Sequence, residues 1–319
     1  MDTIKNFNEI SRADAGIAGG KGASLGEMAQ AGVPVPPGFV ILSNQFEQFI
    51  EGSGLDSKIN SIIDEVDYDE DSSVQAASKK IKKLILSREI PQIVAFTMIK
   101  SFKNLHAEFV AVRSSATAED GAEHAWAGQL ETYLNITESD LLAKVKCCWA
   151  SLFTPRAIVY RSRKKLLKTK ISVAVVVQKM IDSVVSGIAF SVHPVSQNLD
   201  QMIIESGFGL GEAIVSGAIT PDSYIVKKKP LKIIEINISA KNKGLYRNSA
   251  GKNEWLVISE PESSSQSLTN KKILELAKII ISIESHYGFP CDIEWAYAKE
   301  KFYIVQCRPI TTLKNSKAK

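Results

Sequence analysis

The sequence predicts an α+β protein built as two subdomains. A chain of 319 residues can bury one large core or two modest ones, and two fits the pattern better. Helical periodicity dominates the first half, short β-branched runs gather after residue 171, and the chain closes on an amphipathic helix followed by a hairpin.

Taken in order, Ala23 to Ala31 reads as a short helix. Val33-Pro34-Val35-Pro36-Pro37-Gly38 is rigid, because proline fixes φ and forbids helix, so the chain turns there into the extended stretch Phe39 to Leu42. Ser43 is placed to cap a helix over Asn44 to Ile50. The acidic stretch Asp64 to Asp71 reads as an exposed loop ahead of a helical region from Val74 to Leu86. Phe109 to Val112 is a strand, Leu141 to Leu152 a helix and Arg156 to Leu167 a basic helical stretch. Ser172 to Gln178, Gly187 to Val192 and Gln201 to Glu205 read as adjacent strands. After a serine-rich loop, Glu260 to Thr269, a helix runs from Asn270 to His286 with Ile273, Leu276, Ala277, Ile280 and Ile283 on one face, and Gly288 stops it. Asp292 to Tyr297 and Phe302 to Arg308 make the hairpin, and the basic end 314–319 reads as a disordered tail.

Composition narrows the function classes. With 45% hydrophobic and 23% charged residues the chain is an ordinary globular one, and its net charge of +4 is spread along the sequence. The densest basic clusters, Arg161 to Lys165 and Lys227 to Lys229, lack the interleaved aromatics of a nucleic-acid platform, so no nucleic-acid partner is expected. Cys147, Cys148, Cys291 and Cys307 form no C-x-x-C pair, and no apolar run approaches the roughly 18 residues of a membrane helix. The expectation is a reduced, cytoplasmic protein that does not enter membranes.

Two familiar nucleotide signatures fail. A Walker loop needs glycine where Ala15 stands and Ser or Thr where Gly22 stands. In Gly207-Phe208-Gly209-Leu210-Gly211-Glu212 the third glycine of a dinucleotide fingerprint is replaced by Glu212. Gly19-Gly20-Lys21-Gly22 is nevertheless a glycine loop entering a helix start, offering backbone N–H groups and the Lys21 charge to an anion, or else a flexible turn. In Val112-Arg113-Ser114-Ser115-Ala116-Thr117-Ala118-Glu119-Asp120, Arg113 ends a strand, where it forks phosphate oxygens or pairs with Glu119 or Asp120. Ala125-Trp126-Ala127-Gly128-Gln129 with Thr132 is a small-residue segment able to close over a triphosphate. Gln178-Lys179-Met180-Ile181 ends a buried strand, whose backbone would read an adenine edge while Met180 and Ile181 pack on the ring, or else it is only a core strand ending. Glu212 and Asp222 add carboxylates, Glu212 suited to ribose hydroxyls, or else both are surface carboxylates.

The terminal hairpin is the most informative constellation. If its turn is the three-residue Lys299-Glu300-Lys301, Glu294 opposes Gln306, Asp292 opposes Arg308, and all four share a face. A carboxylate beside an amide oxygen suits Mg²⁺, which takes few protein ligands and completes its shell with triphosphate oxygens. The alternative is a structural Asp–Arg pair on a polar sheet face.

Together these segments resemble, in order and along nearly the whole chain, the ATP-binding domain of phosphoenolpyruvate synthase (pyruvate, water dikinase), pyruvate phosphate dikinase and rifampin phosphotransferase. The matching strings are GGKGASLGEM, GVPVPPGF, AVRSSATAED, AWAGQLETYLNI, VVVQKMI, SGIAFSVHP, GFGLGEAIVSGAITPDSY and HYGFPCDIEWA with VQCRPIT. The resemblance implies an ATP-grasp-like fold whose two subdomains clasp ATP. Residues 1–110 would form its N-terminal part, with the Lys21 loop and a helical insertion, and residues 111–313 the remainder, with the adenine, ribose and Mg²⁺ sites. Carried across by position, it implies that Lys21 and Arg113 hold phosphates and that Gly128, Gln129 and Thr132 belong to the closing phosphate loop. Gln178 and Met180 would flank adenine, Glu212 face the ribose, Glu294 and Gln306 bind Mg²⁺, and Arg308 meet the transferring phosphate.

Such enzymes pass the β-phosphoryl of ATP to a histidine on a swivelling domain and release AMP, and no such histidine motif occurs here. His106, His124, His193 and His286 are the histidines present, and none of them suits a carrier that must shuttle between sites. The resemblance therefore implies a partner histidine domain in trans or downstream, with pyruvate, a rifamycin-like hydroxyl or a phenol as the further acceptor. A rival from another class is a regulatory module that grips ATP and transfers nothing.

Overall fold

A computed structural model describes residues 3–117, 120–121, 124–125, 131–167, 171–311 and 313. The chain folds as two compact units, Met1–Glu27 with Pro37–Met180, and Met28–Pro36 with Ile181–Lys319, each mixing helix and sheet in α+β fashion.

The first unit contains β1 (Ile4–Asn6), a kinked helix α1 (Ala15–Gln30), β2 (Gly38–Ile41), α2 (Ser43–Gly52), α3 (Asp56–Asp64), α4 (Asp71–Leu86) and α5 (Gln92–Asn104). It continues with β3 (Val110–Ala116), a short ribbon of β4 (Asp120–Gly121) and β5 (His124–Ala125), β6 (Thr132–Ile136), α6 (Leu141–Ala150), α7 (Pro155–Arg163) and β7 (Val173–Lys179). Among the described residues, five strands pair antiparallel in the order β1-β2-β7-β3-β6. Strand alternation sorts their side chains. Val110, Val112 and Ala116 of β3, Val173, Val175 and Val177 of β7, and Phe39 and Ile41 of β2 enter one core with Phe49 of α2, Ile81 of α4, Met98 of α5 and Trp149 of α6. Trp149 is fully buried, its ring 4.8 Å from that of Phe49. The opposite face of β3 carries Ala111, Arg113 and Ser115.

The second unit contains β8 (Val185–Phe190), β9 (Gln201–Phe208), the single turn α8 (Glu212–Val215), β10 (Asp222–Lys227), β11 (Lys232–Asn237), the hairpin β12 (Lys243–Arg247) and β13 (Asn253–Val257), α9 (Asn270–Tyr287), β14 (Cys291–Ala298) and β15 (Lys301–Pro309). Its larger sheet runs β11-β10-β9-β8-β14-β15, and the edge strand β15 gains a hydrogen bond from Ile304 N–H to the Pro34 carbonyl at 2.9 Å. Helix α9 matches its expectation. Its five apolar positions are buried, the Thr269 hydroxyl accepts the Lys272 N–H, and Gly288 ends it at φ 72°. It packs across β14, β9, β10 and β11 on the face where Cys291, Ile293 and Trp295 are buried, which leaves Asp292 and Glu294 on the other face.

Two expectations change, and one helix was not anticipated. Ser172–Gln178 is not a neighbour of the strand that follows it, because β7 lies between β2 and β3 in the first unit while β8 pairs with β9 and β14 in the second. Ser43 is the first residue of α2 rather than its cap, with Leu42 at the cap position and the Ser43 carbonyl accepting from the Ser172 hydroxyl at 3.0 Å. Helix α5 had no sequence-level expectation: Ile93 is 78% and Phe96 69% exposed, which blurs the apolar stripe that Met98 and Phe102 bury.

A fully buried ion pair anchors the second unit. Lys241 Nζ lies 2.5 Å from Asp222 Oδ1, both side chains are 0% exposed, and Asp222 also accepts from the N–H groups of Ser239 and Ser267 and from the hydroxyls of Ser267 and Tyr224. Burial alone would push the Asp222 carboxyl up, but the hydrogen bonds from Lys241 and Ser267 outweigh it and hold the group below the usual aspartate value. Its stabilising contribution is therefore complete above the unfolded-state value near 3.9 and is lost as pH falls through the depressed folded value. Lys241→Met should lower the unfolding free energy by about 3–5 kcal/mol in urea titrations at neutral pH, since it strands a buried charge. Asp222→Asn combined with it should recover part of that loss, and an unaltered urea midpoint in the single variant would contradict the role given to the pair.

Candidate functional site

In the first unit the site begins at a break in α1. Gly19 sits at φ 67°, ψ 168°, outside helical space, and the helix restarts beyond it with Lys21 in the first turn. The N–H groups that a new helix start would offer to an anion are not all open. The Ser115 hydroxyl of β3 accepts from Lys21 N–H at 3.1 Å and Gly22 N–H at 3.4 Å. Glycine is required at position 19 for two reasons. The positive φ disfavours other residues, and a Cβ there would lie 2.2 Å from the Ser115 hydroxyl oxygen and 2.4 Å from its carbonyl oxygen.

Two residues before Ser115 on the same strand face stands Arg113, in mid-strand rather than at the strand end, because β3 continues to Ala116. Arg113 is 7% exposed and donates to Gln178 Oε1 of β7 at 3.3 Å. The proposed adenine neighbour Gln178 thus meets the proposed phosphate arginine directly, and among the described residues its buried Nε2 has no hydrogen-bond partner. Thr132 of β6 pairs in register with Arg113. At the end of β7 the Lys179 and Met180 N–H groups donate to the Pro37 and Phe109 carbonyls, so these two donors are not open to an adenine edge. Gly128 and Gln129 lie outside the described residues, as does Glu119. Lys21, Arg113, Thr132 and Gln178 are thus carried by one helix start and three neighbouring strands.

In the second unit the hairpin delivers its expected pairing by a different route. The turn has two residues, Lys299 and Glu300, with Ala298 opposite Lys301 and both turn residues at positive φ, as a type I′ hairpin requires. That turn alone would set Glu294 against Val305. A bulge at Val305 shifts the register by one, so Glu294 faces Gln306 and Asp292 faces Arg308. Gln306 Nε2 donates to Glu294 Oε1 at 2.7 Å, and Arg308 donates through Nε and Nη2 to Asp292 Oδ2 at 2.8 and 2.7 Å. The next strands extend the row: Glu294 faces Ile188 of β8, and Ile188 faces Glu205 of β9. Burial pushes the Glu205 carboxyl above the ordinary glutamate range.

The donor set fits Mg²⁺. One carboxylate and one amide stand side by side, and Mg²⁺ keeps most of its octahedral shell for water and phosphate oxygens. Among the described residues no cluster of three or more His, Cys, Asp or Glu side chains forms a self-sufficient metal site.

Glu212 opens α8, and its Oε2 accepts from Asn253 Nδ2 of β13 at 2.9 Å. The β12–β13 hairpin holds the glycine turn before it: Leu210 N–H donates to the Leu245 carbonyl at 2.7 Å, and Gly209, at φ 82°, packs against Leu245. Arg247 of the same hairpin pairs with Asp182 at 3.3 Å. Sequence reasoning missed Ser115, Asn253 and Asp182. Ser115 stood inside a flagged string, whereas the other two had no local signal.

Residues 15–319 match the family described as the pyruvate phosphate dikinase AMP/ATP-binding domain. The chain is 44% identical to a probable phosphoenolpyruvate synthase of Methanocaldococcus jannaschii, covering 99% of this chain and 27% of that protein. It is 42% identical to the phosphoenolpyruvate synthase of Pyrococcus furiosus, covering 98% of this chain and 44% of that protein. To the rifampicin phosphotransferase of Bacillus cereus it is 38% identical, over 97% of this chain and 36% of the other. The chain thus spans less than half the length of these relatives.

The contact between Gly19 and Ser115 yields a direct test. Gly19→Ala should cost at least about 2 kcal/mol of stability in denaturant titrations, from the positive φ and the overlap together. A variant as stable as the parent would show that the approach of α1 to β3 is looser than described.

Proposed function

Because the chain belongs to the pyruvate phosphate dikinase AMP/ATP-binding domain family, we propose that it binds MgATP and passes the β-phosphoryl group to a histidine on a separate swivelling domain, releasing AMP and, with the consumption of one water, the γ-phosphate as orthophosphate. The observation that carries this reading is the sheet face on which Glu294 meets Gln306 and Arg308 stands one row away, held in register by a bulge. A module that only senses nucleotide has no need of both a metal-binding pair and an arginine beside it.

In this reading Lys21 and Arg113 bind and orient phosphates, and Gly128, Gln129 and Thr132 close over them. Gln178 and Met180 flank adenine. Met180 does so with its side chain, since its N–H is bonded to the Phe109 carbonyl. Glu212, already oriented by Asn253, accepts from the ribose hydroxyls. Glu294 and Gln306 would hold Mg²⁺, which would supply charge neutralisation to the phosphates. Arg308 leaves Asp292 to follow the β-phosphoryl group as the bridge to the α-phosphate breaks. Phosphoryl transfer asks for position and charge rather than covalent work, so no general base within the chain is needed.

The relatives' names bear on the final acceptor. The rifampicin enzyme, at 38%, stands among phosphoenolpyruvate synthases that run from 44% down to 37%, and the preponderance of synthases favours pyruvate over an antibiotic hydroxyl.

The test uses the histidine domain of a related dikinase supplied in trans, with nucleotide products read by chromatography. The parent chain should form AMP and phosphohistidine. Arg308→Ala should reduce that transfer by roughly 10²–10³-fold while MgATP affinity falls by far less. Undiminished transfer would remove Arg308 from the reaction, and MgATP binding without any AMP would favour the non-catalytic module.

A further inference from the structure

Ser115 belongs to no site in the reading above, yet it ties the helix start carrying Lys21 to the strand carrying Arg113. A helix that restarts after Gly19 leaves first-turn N–H groups in need of acceptors. The Ser115 hydroxyl supplies one for two of them, Lys21 at 3.1 Å and Gly22 at 3.4 Å, from 94 and 93 residues away in sequence. Ser115 is 0% exposed, so this hydroxyl stands where water cannot substitute for it. It lies on the same face of β3 as Arg113, and β3 is itself held between β7 and β6, with Arg113 opposite Val176 and Thr132.

We propose that Ser115 is a positioning residue that fastens the Lys21 helix start to the strand carrying Arg113, so that the two cations meet a triphosphate as one rigid pair. This rests on the reading of Lys21 and Arg113 as phosphate-binding groups. It also changes how the glycine loop works. The N–H groups of Lys21 and Gly22 are spent on Ser115, so the anion is met by the Lys21 side chain rather than by these backbone donors. The glycine at position 19 serves the close approach of Ser115 instead of cradling phosphate.

The experiment is a double-mutant cycle on MgATP affinity by calorimetry, using the full chain, with Ser115→Ala, Lys21→Met and the pair. Ser115→Cys accompanies it, since a thiol fills the same space and is a far weaker acceptor, in case the alanine variant does not fold. Either Ser115 variant should weaken MgATP binding by roughly 5- to 30-fold in the parent background, the loss expected when a helix start loses its capping hydroxyl. In the Lys21→Met background the same change should cost less than about 2-fold, because the lysine through which Ser115 acts is gone. Parent-like affinity in the Ser115 variants overturns this inference alone. An equal loss in both backgrounds overturns it too, by showing a general structural role. Failure of the parent to bind MgATP overturns both this inference and the function it rests on.

Discussion

In the first unit the missing side chain at Gly19 is the constraint from which the site follows. Without a Cβ, α1 breaks and its second half starts against β3, close enough for the Ser115 hydroxyl to take two of its N–H groups. The alternation of β3 then does the rest. Its Val110, Val112 and Ala116 side anchors the strand in the helical core, which leaves Arg113 and Ser115 on the face where α1 begins. A change that filled position 19 would therefore disturb a helix start and the placement of Lys21 relative to Arg113 together.

The second unit reaches comparable order by other means. Helix α9 covers one face of the sheet and so assigns Asp292, Glu294, Gln306 and Arg308 to the other. The bulge at Val305 sets which of them face each other, and the Gln306–Glu294 and Arg308–Asp292 contacts follow from that register. Behind β9 and β10, the Lys241–Asp222 pair ties the excursion through 239–267 to the sheet. That excursion carries the β12–β13 hairpin, whose Asn253 and Leu245 hold Glu212 and the turn before it.

Much of this was legible in the sequence wherever the signal was local. Helix α9 announced itself through a five-residue apolar face and a terminal glycine, and the family resemblance was carried by strings that the family match over residues 15–319 supports. The hairpin pairing was right for a reason that was not. A Lys-Glu turn lacks the Asn-Gly cue of a two-residue hairpin, and a bulge has no signature in a strand reading K-F-Y-I-V-Q-C-R, so the two omissions compensated. Long-range facts were invisible. Nothing near Ser172 says that its strand joins β2 and β3 rather than β8, and nothing near Ser115 says that its partners lie 94 and 93 residues earlier. Helix α5 escaped because two large apolar residues face outward.

The central claim is the proposed binding of a metal-bound nucleotide, with Arg113 proposed to meet phosphate and Glu294 proposed to hold Mg²⁺. Equilibrium titration of the chain with ATP in Mg²⁺ and in EDTA tests this most directly, repeated for Arg113→Ala and Glu294→Ala. The account predicts that the parent binds ATP more tightly with Mg²⁺, that Glu294→Ala removes the difference, and that Arg113→Ala weakens binding in both conditions. Equal binding by the parent with and without Mg²⁺, or a Mg²⁺ effect that survives the loss of Glu294, would contradict it.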